Sequence, residues 1–216
     1  MSTGTRPTLA DVKTKGQGLP TRLIMQGVEG IGKSSFAAFA PKPIVAMLKG
    51  ETGMETLIDS GQIPEIPHWD ELETWADMLA CIDDLTTQKH DYKTLVLDTL
   101  GAAERLCHEC VCNREYKGVW GEKGFTSYMR GYEVALADWR EFLNKLDELR
   151  TTKRMAIIGL AHTRVKTFKN PDGPDFDRYT CDLHEKTWNL THRWADIVLF
   201  ANYFTVVDES GNRAKG

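Results

Sequence analysis

An eight-residue stretch near the start of the chain constrains the fold more than any other. It reads Gly27-Val28-Glu29-Gly30-Ile31-Gly32-Lys33-Ser34 and directly follows the apolar run Leu23-Ile24-Met25. The stretch fulfils the pattern G-x-x-x-x-G-K-[ST], in which a strand leads into a phosphate-binding loop and a helix follows it. The glycines let the backbone curl so that successive N–H groups point at one phosphate chain, and we expect a side chain at Gly32 to obstruct that approach. The alternative, a plain glycine-rich turn, leaves the run Lys33-Ser34-Ser35 unexplained.

Each polar residue of this loop has an expected role in binding a nucleoside triphosphate. Lys33 would neutralise the β- and γ-phosphate oxygens, and the Ser34 hydroxyl would hold Mg²⁺. The helix that begins here would offer its positive end to the anion. The predicted nucleotide contacts in the loop are Gly27, Val28, Glu29, Gly30, Ile31, Gly32, Lys33, Ser34 and Ser35.

Length and charge limit the remaining possibilities. The 216 residues are 41% hydrophobic and 27% charged, which suits one α/β domain with a sizeable core. The net charge of -4 gives no global basic signature, so any contact with nucleic acid must come from local patches. No apolar run approaches the roughly 20 residues that span a bilayer, and residues 1–20 are polar, so we expect a cytoplasmic protein that does not enter a membrane.

The expected organisation is a flexible N-terminal lead-in, residues 1–20, followed by one domain, residues 21–216. The lead-in is rich in glycine and proline among polar residues. The five cysteines are expected to be reduced thiols. Cys107, Cys110 and Cys112 with His108 resemble a zinc cluster, but tetrahedral zinc would need a further ligand. Their setting in a helical pattern favours buried helix cysteines.

The apolar runs predict a three-layer α/β fold around a mainly parallel sheet. A strand, a short helix and a second strand follow one another from residue 21 to residue 48, and such a unit is a right-handed crossover between parallel strands. The predicted strands are residues 21–26, 44–48, 92–99, 155–160 and 194–201, and the predicted helices are residues 33–40, 70–86 and 132–150.

Polar residues follow three of these strands at the edge where open α/β sheets bind ligands. Glu51 is the candidate catalytic base, with a solvated loop acid as the alternative and with Glu55 and Asp59 in reserve. Asp98 ends the strand at residues 92–99 and is expected to bind the Mg²⁺ hydration shell beside the nucleotide. His162 follows the next strand and could contact the γ-phosphate, or it could be an ordinary histidine at a sheet edge.

Two basic segments are candidates for binding single-stranded nucleic acid. Residues 113–130 mix glycines and aromatic residues with Arg114, Lys117, Lys123 and Arg130, a composition that suits stacked bases and paired phosphates. The alternative is that the aromatic residues anchor a long loop to the core. Residues 164–179 carry Arg164, Lys166, Lys169 and Arg178, with prolines and a glycine that prevent a helix, and form either a DNA-binding loop or a solvated excursion.

The C-terminal end predicts half of a β-hairpin. Residues 203–207 form a strand and residues 208–212 a turn, but residues 213–216 stop where the return strand should begin. We therefore expect the return strand to be missing and the chain to lack its natural C-terminal end.

Taken in order, these motifs resemble the phage-encoded P-loop ATPases of the RecA-like class, a phage AAA-family group that includes single-strand annealing recombinases. The resemblance covers residues 21–207. It rests on residues 27–34, Glu51-Thr52-Gly53, residues 95–99 with the helix at 104–109, Leu160-Ala161-His162, and residues 194–200.

The resemblance implies ATP and Mg²⁺ as cofactors and assigns roles to single residues. Glu51 would polarise the attacking water, Lys33 and Ser34 would bind triphosphate and metal, and Asp98 would support the metal. His162 would sense the γ-phosphate, where recombinases often carry glutamine. The segments at 113–130 and 164–179 follow the third and fourth predicted strands, as the two DNA-binding loops of RecA-like recombinases do. The resemblance also implies a ring or filament on single-stranded DNA, in which a neighbouring subunit completes the site.

Three functions remain open at this point. The first is an ATPase that acts on single-stranded DNA in phage recombination or replication, and a single-strand DNA-binding protein is a possible partner. The second is a nucleotide or small-molecule kinase, suggested by the run Asp177-Arg178-Tyr179. The third is a DNA-binding protein that ATP switches with little turnover.

Overall fold

The fold is described from a computed structural model. The structure describes Thr8 and residues 18–204, 206–207 and 214–215. The predicted lead-in, residues 1–20, lies outside the described residues except for Thr8 and residues 18–20, and the predicted turn at 208–212 lies outside them as well.

Nine strands and six α-helices make up the described part of the chain. The strands are β1 (Arg22–Gly27), β2 (Pro43–Leu48), β3 (His68–Leu72), β4 (Thr94–Asp98), β5 (Ala156–Phe168), β6 (Phe176–Cys181), β7 (Ile197–Ala201), β8 (Val206–Val207) and β9 (Ala214–Lys215). The helices are α1 (Lys33–Ala38), α2 (Gly53–Asp59), α3 (Trp75–Thr87), α4 (Leu100–Tyr116), α5 (Arg130–Lys153) and α6 (Glu185–Trp194), with a 3-10 turn at Ser127–Met129.

The central sheet has the strand order β3-β2-β4-β5-β1-β7, and all pairs along this order are parallel. β6 joins as an antiparallel partner of the distal part of β5. Because β5 lies between β1 and β4, the first strand and the strand that ends in Asp98 do not touch. The predicted mainly parallel sheet is confirmed.

Two cores, one on each face of the sheet, produce the three layers. Alternate residues of a strand point to opposite faces; accordingly, Ile24 packs with α3, α4 and α5, whereas Met25 packs with α1 and α2. In the larger core, the rings of Trp75 and Trp139 stack with centroids 6.0 Å apart. The predicted three-layer α/β fold of a P-loop NTPase is therefore confirmed.

The predicted strands at residues 21–26, 44–48 and 92–99 correspond closely to β1, β2 and β4. The helix predicted at residues 70–86 begins only at Trp75, because His68–Leu72 pairs with the free edge of β2 as β3. The Thr74 hydroxyl accepts a hydrogen bond of 3.1 Å from the Asp77 N–H and thereby caps the start of α3.

Two further predictions are wrong in the second half of the chain. Residues 164–179 do not form a loop: β5 runs on to Phe168 and pairs with β6, so the prolines and glycine lie in the turn of a β-hairpin. The core strand predicted at residues 194–201 is an edge strand, because Trp194 ends α6 and β7 begins only at Ile197, with partly exposed side chains. The irregular segment expected from residue 113 starts after Tyr116, where α4 ends.

The C-terminal hairpin is present in short form. Val206–Val207 pairs antiparallel with Ala214–Lys215. The prediction that the return strand is missing was therefore wrong, whereas the predicted β-hairpin at the C-terminal side is confirmed.

The cysteines that resembled a zinc cluster lie on α4. Cys107 and Cys112 are buried, and Cys110 is half-buried. Among the described residues, no group of three or more His, Cys, Asp or Glu side chains is placed to hold a metal ion. All five cysteines are free thiols.

Gly27 marks the closest approach between β1 and β7. A Cβ atom at Gly27 would lie 2.5 Å from the carbonyl oxygen of Ala201, its partner in the parallel register. A backbone oxygen held in a sheet cannot move aside easily, so this glycine is required by the pairing of β1 with β7.

We therefore expect Gly27→Ala to lower the free energy of unfolding by about 1–3 kcal/mol, the usual cost of overpacking. Urea denaturation followed by circular dichroism measures the change. Gly121→Ala is the matched control, since a Cβ at Gly121 meets no atom within 4 Å. Equal stabilities of the two variants would contradict the proposed close contact.

Candidate functional site

The predicted site residues meet in a cleft of about 420 Å³ at the carboxyl edge of the sheet. The phosphate-binding loop and α1 form one wall, and α2 with the residues after it forms the opposite wall. The end of β4, the middle of β5 and the loop after β2 close the cleft. Its lining residues are Glu29, Gly30, Gly32, Lys33, Ser34, Ser35, Glu51, Gly53, Thr56, Leu57, Gln62, Asp98, Thr99 and His162.

The loop takes its shape from two glycines with left-handed backbone. Gly30 has a φ of 72° and Gly32 a φ of 94°, which residues with a side chain rarely adopt. A Cβ at Gly32 would meet no atom within 4 Å. Within the protein, therefore, the backbone angle requires glycine at this position, and crowding does not.

Lys33 is buried inside the loop, with 7% of its surface exposed. Its Nζ donates hydrogen bonds to the carbonyl oxygens of Gly27 at 3.1 Å and Val28 at 2.9 Å. Burial lowers the pKa of Lys33, and the negative charges of Asp98, Glu29 and Glu51 offset part of that effect. The ammonium is thus fixed at the cleft floor, where it can bind phosphate oxygens.

Ser34 and Asp98 bring two hard oxygen groups together. The Ser34 hydroxyl donates a hydrogen bond of 3.3 Å to Oδ2 of Asp98, whose side chain is almost completely buried. Burial raises the pKa of Asp98 to about 6, and the neighbouring charge of Glu51 adds to the rise. A hydroxyl next to a carboxylate is the donor set that Mg²⁺ prefers, so these residues fit the metal that the sequence predicts.

Glu51 is held in place from three sides. Its Oε1 accepts a hydrogen bond of 2.9 Å from the Thr99 hydroxyl, and Nη2 of Arg105 lies 3.7 Å from the same oxygen. Its Oε2 lies 3.6 Å from Nε2 of His162. Burial alone would raise the pKa of Glu51, but these partners, His162 foremost, hold it below the ordinary value. The carboxylate is therefore charged at neutral pH, as a general base must be.

His162 faces Glu51 from the middle of β5. The carboxylate of Glu51 raises the pKa of His162 against the opposing effects of burial and of the Lys33 charge. Nδ1 of His162 is buried and has no hydrogen-bond partner among the described residues. The histidine is thus part of the cleft, and the ordinary sheet-edge alternative does not account for its ion-pair contact.

Sequence reasoning missed Thr99 and Arg105, which orient Glu51. Thr99 follows Asp98 directly, and its hydroxyl also accepts a hydrogen bond from the Ala102 N–H at the start of α4. Arg105 lies on α4 and also donates to the carbonyl oxygen of Lys49. A threonine next to the strand-end acid was a usable signal, but only the folded chain brings Arg105 near Glu51. The reserve acids Glu55 and Asp59 are exposed on α2 and do not line the cleft.

The predicted DNA-binding residues lie outside the cleft and form two separate groups. Lys117, Lys123 and Arg130 are exposed between α4 and the start of α5. Arg114 lies on α4 and forms a bidentate ion pair with Asp138 at 2.7 and 2.9 Å, so much of its donor capacity is used within the fold. The hairpin of β5 and β6 carries the exposed cations of the second group, Arg164, Lys166, Lys169 and Arg178.

The raised pKa of Asp98 predicts how the stability of the protein without Mg²⁺ depends on pH. Because the pKa of Asp98 is raised, its carboxyl is protonated near pH 5 in the folded state but ionised in the unfolded state. The free energy of unfolding therefore falls as pH rises through about 6. We expect Asp98→Asn to raise the free energy of unfolding at pH 8 by on the order of 2 kcal/mol. The gain should disappear near pH 4. Chemical denaturation in EDTA at both pH values measures it.

Asp59→Asn, the same change at an exposed acid, is the control and should shift stability by less than about 0.5 kcal/mol. Destabilisation by Asp98→Asn at pH 8 would contradict the buried, charged carboxylate.

Comparison with known proteins identifies the family of the chain. The family model described as an AAA domain (AAA_24) matches residues 19–215, which is nearly the whole chain. No curated protein matches it significantly. None of the described helices is both long enough and apolar enough to cross a bilayer. With the loop, acids and sheet order described above, the chain belongs to this AAA-type P-loop ATPase family.

Proposed function

We propose that this protein hydrolyses ATP with Mg²⁺ and acts on single-stranded DNA in phage recombination or replication. The observation that carries the ATPase part is Glu51, a charged carboxylate held in the same cleft as Lys33 and Asp98. Membership of an AAA family supports nucleotide binding and ATPase activity in general. The action on DNA, the phage origin and the role in recombination go beyond what family membership supports and belong to this proposal alone.

The residues divide the chemistry of hydrolysis among them. Lys33 and the loop N–H groups bind the β- and γ-phosphates, and Ser34 and Asp98 hold Mg²⁺. When bound, the metal neutralises negative charge on the phosphates. Glu51 accepts a proton from the attacking water, since Thr99 and Arg105 keep it oriented and ionised. His162 contacts the γ-phosphate. Because His162 lies on β5, this contact lets β5 respond to whether the γ-phosphate is present.

The DNA part of the proposal is supported by the exposed cations after β4 and β5. The hairpin that follows His162 carries Arg164, Lys166, Lys169 and Arg178 as a direct continuation of the strand that leaves the cleft. We further propose that copies of the chain assemble as a ring or filament on DNA, with a single-strand DNA-binding protein as a partner. The protein would then act in the cytoplasm of the phage host.

The kinase alternative receives less support. Its acceptor-like run, Asp177-Arg178-Tyr179, lies on β6, where the Asp177 carboxylate accepts a hydrogen bond of 2.6 Å from the Thr167 hydroxyl. None of the three residues lines the nucleotide cleft. A kinase also needs no acid to activate water, whereas this cleft holds one in place. The ATP-switched binding protein would share the cleft but show little turnover.

Replacement of Glu51 separates these functions. We expect Glu51→Gln to lower steady-state phosphate release from Mg-ATP by about 100-fold or more, the usual contribution of a general base. Single-stranded DNA should stimulate the native chain and fail to stimulate the variant. Phosphate release with and without DNA is the measurement.

Glu55→Gln, the same change four residues on and outside the cleft, should keep the native rate. Native turnover in Glu51→Gln together with indifference to DNA would overturn the proposal and direct attention to phosphoryl acceptors. Negligible turnover in the native chain with ATP-dependent DNA binding would favour the switched binding protein.

A further inference from the structure

A second pocket, of about 360 Å³, lies between the β5–β6 hairpin, the end of β1 and α6. We call it the hairpin pocket. It shares no lining residue with the nucleotide cleft. Both nevertheless depend on the same strands, because Gln26 at the pocket precedes Gly27 of the phosphate-binding loop, and Arg164 follows His162 by two residues on β5.

Cations dominate the rim of the hairpin pocket. Arg164, Lys166 and Arg178 line it, against one lining carboxylate, that of Glu185. Lys166 lies 3.4 Å from Glu185 and Arg164 lies 3.4 Å from Asp182, so carboxylates offset both of these charges. The Arg178 guanidinium lies 4.3 Å from the centre of the Phe168 ring and forms no ion pair with any described residue. An anionic group such as a phosphate would meet an available guanidinium here.

Uncharged hydrogen-bonding groups line the inner part of the pocket. Oε1 of Gln26 and the hydroxyl of Thr180 are buried and have no hydrogen-bond partner among the described residues. Unpaired buried polar atoms are costly, so a ligand that bonds to them gains free energy. The Asn189 amide adds a donor and an acceptor to the lining. Amides of this kind match the polar edge of a nucleobase.

Two aromatic side chains complete the pocket. Trp188 lies on α6 with its ring 5.3 Å from that of His192, and Tyr179 on β6 packs at 5.3 Å from the Phe200 ring while 45% of its surface stays exposed. Aromatic faces stack on bases of any sequence. The exposed cations match the phosphate of a nucleotide, the amides match the polar edge of its base, and the aromatic rings match the face of its base.

We propose that the hairpin pocket binds one nucleotide unit of single-stranded DNA, with its phosphate on Arg178 and its base against Trp188 and Gln26. The inference rests on the proposed function for the DNA, whereas the pocket itself rests on the residues above. A free mononucleotide presents the same chemistry, and the test separates these two sources.

The experiment measures binding of fluorescein-labelled oligo(dC), oligo(dA) and oligo(dT) to the full chain by anisotropy, with Mg-ATP present. Arg178→Gln should weaken binding at least about fivefold. Arg140→Gln, the same substitution at an exposed arginine on α5 outside the pocket, should weaken it less than about twofold. Gln26→Met, which keeps the length and removes the amide, should reduce the differences among the three oligonucleotides.

A matched aromatic pair extends the test. Trp188→Leu should weaken binding by about the loss of one stacked base, roughly fivefold or more, whereas Phe39→Leu at the exposed C-terminal end of α1 should not. Competition with dCMP identifies the source. Binding of dCMP alone, lost in Arg178→Gln, supports the pocket and assigns it to a free nucleotide.

Other results would overturn the inference. Equal effects of Arg178→Gln and Arg140→Gln, in variants that melt at the native temperature, would show charge attraction without a pocket. Native DNA binding that none of the pocket substitutions changes would overturn the pocket while leaving the proposed function intact. ATP hydrolysis without any binding of DNA or dCMP would overturn the pocket and the DNA part of the proposed function, and would leave the ATPase part standing.

Discussion

The position of β5 between β1 and β4 is the constraint on which the rest of the site depends. In the parallel register, Gly27 of β1 lies beside His162 of β5, and Leu97 of β4 lies beside Gly159. β1 and β4 end at the carboxyl edge of the sheet and β5 continues past it, so the phosphate-binding loop, Asp98 and His162 come together here. The cleft geometry therefore follows from strand order and register, because Asp98 and His162 lie on β4 and β5 themselves, whereas Glu51 lies in the loop between β2 and α2.

The titratable groups of the cleft shift one another's pKa values in both directions: the charge of Lys33 lowers the pKa of Asp98, whereas that of Glu51 raises it. Lys33 is a cation and Asp98 and Glu51 are anions, while Glu51 raises the pKa of His162 and Arg105 approaches Glu51 from the solvent side. Each group alone would be costly to desolvate, and the shifts show it: burial is the leading effect on the pKa of Lys33 and Asp98. Glu51 stays ionised because His162 and Thr99 compensate its burial. A change at one of the four alters the protonation balance of the others.

The sequence predicted the parts of the fold that depend on local pattern. The phosphate-binding loop, Glu51, Asp98 and His162 could all be located because each follows an apolar strand. β3 was missed because its side chains are mostly exposed, and only pairing with β2 makes it a strand. The hairpin of β5 and β6 was read as a loop for the same reason, since neither face of it is buried over most of its length. Arg105 acts on Glu51 through tertiary contact alone, which no spacing in the sequence records.

The proposed binding of ATP and DNA by an acidic chain depends on how its cations are distributed. With a net charge of -4, long-range attraction to polyanions is weak, so binding depends on where single cations are placed. Lys33 is buried and held by two carbonyl oxygens, which fixes one charge where water and salt screen it little. The hairpin cations are exposed and screened, so their contribution falls as ionic strength rises. Exposed charge alone would bind DNA weakly. For the proposed DNA binding, the unpaired amide of Gln26 and the aromatic rings of the hairpin pocket therefore matter more than the number of positive residues on the hairpin.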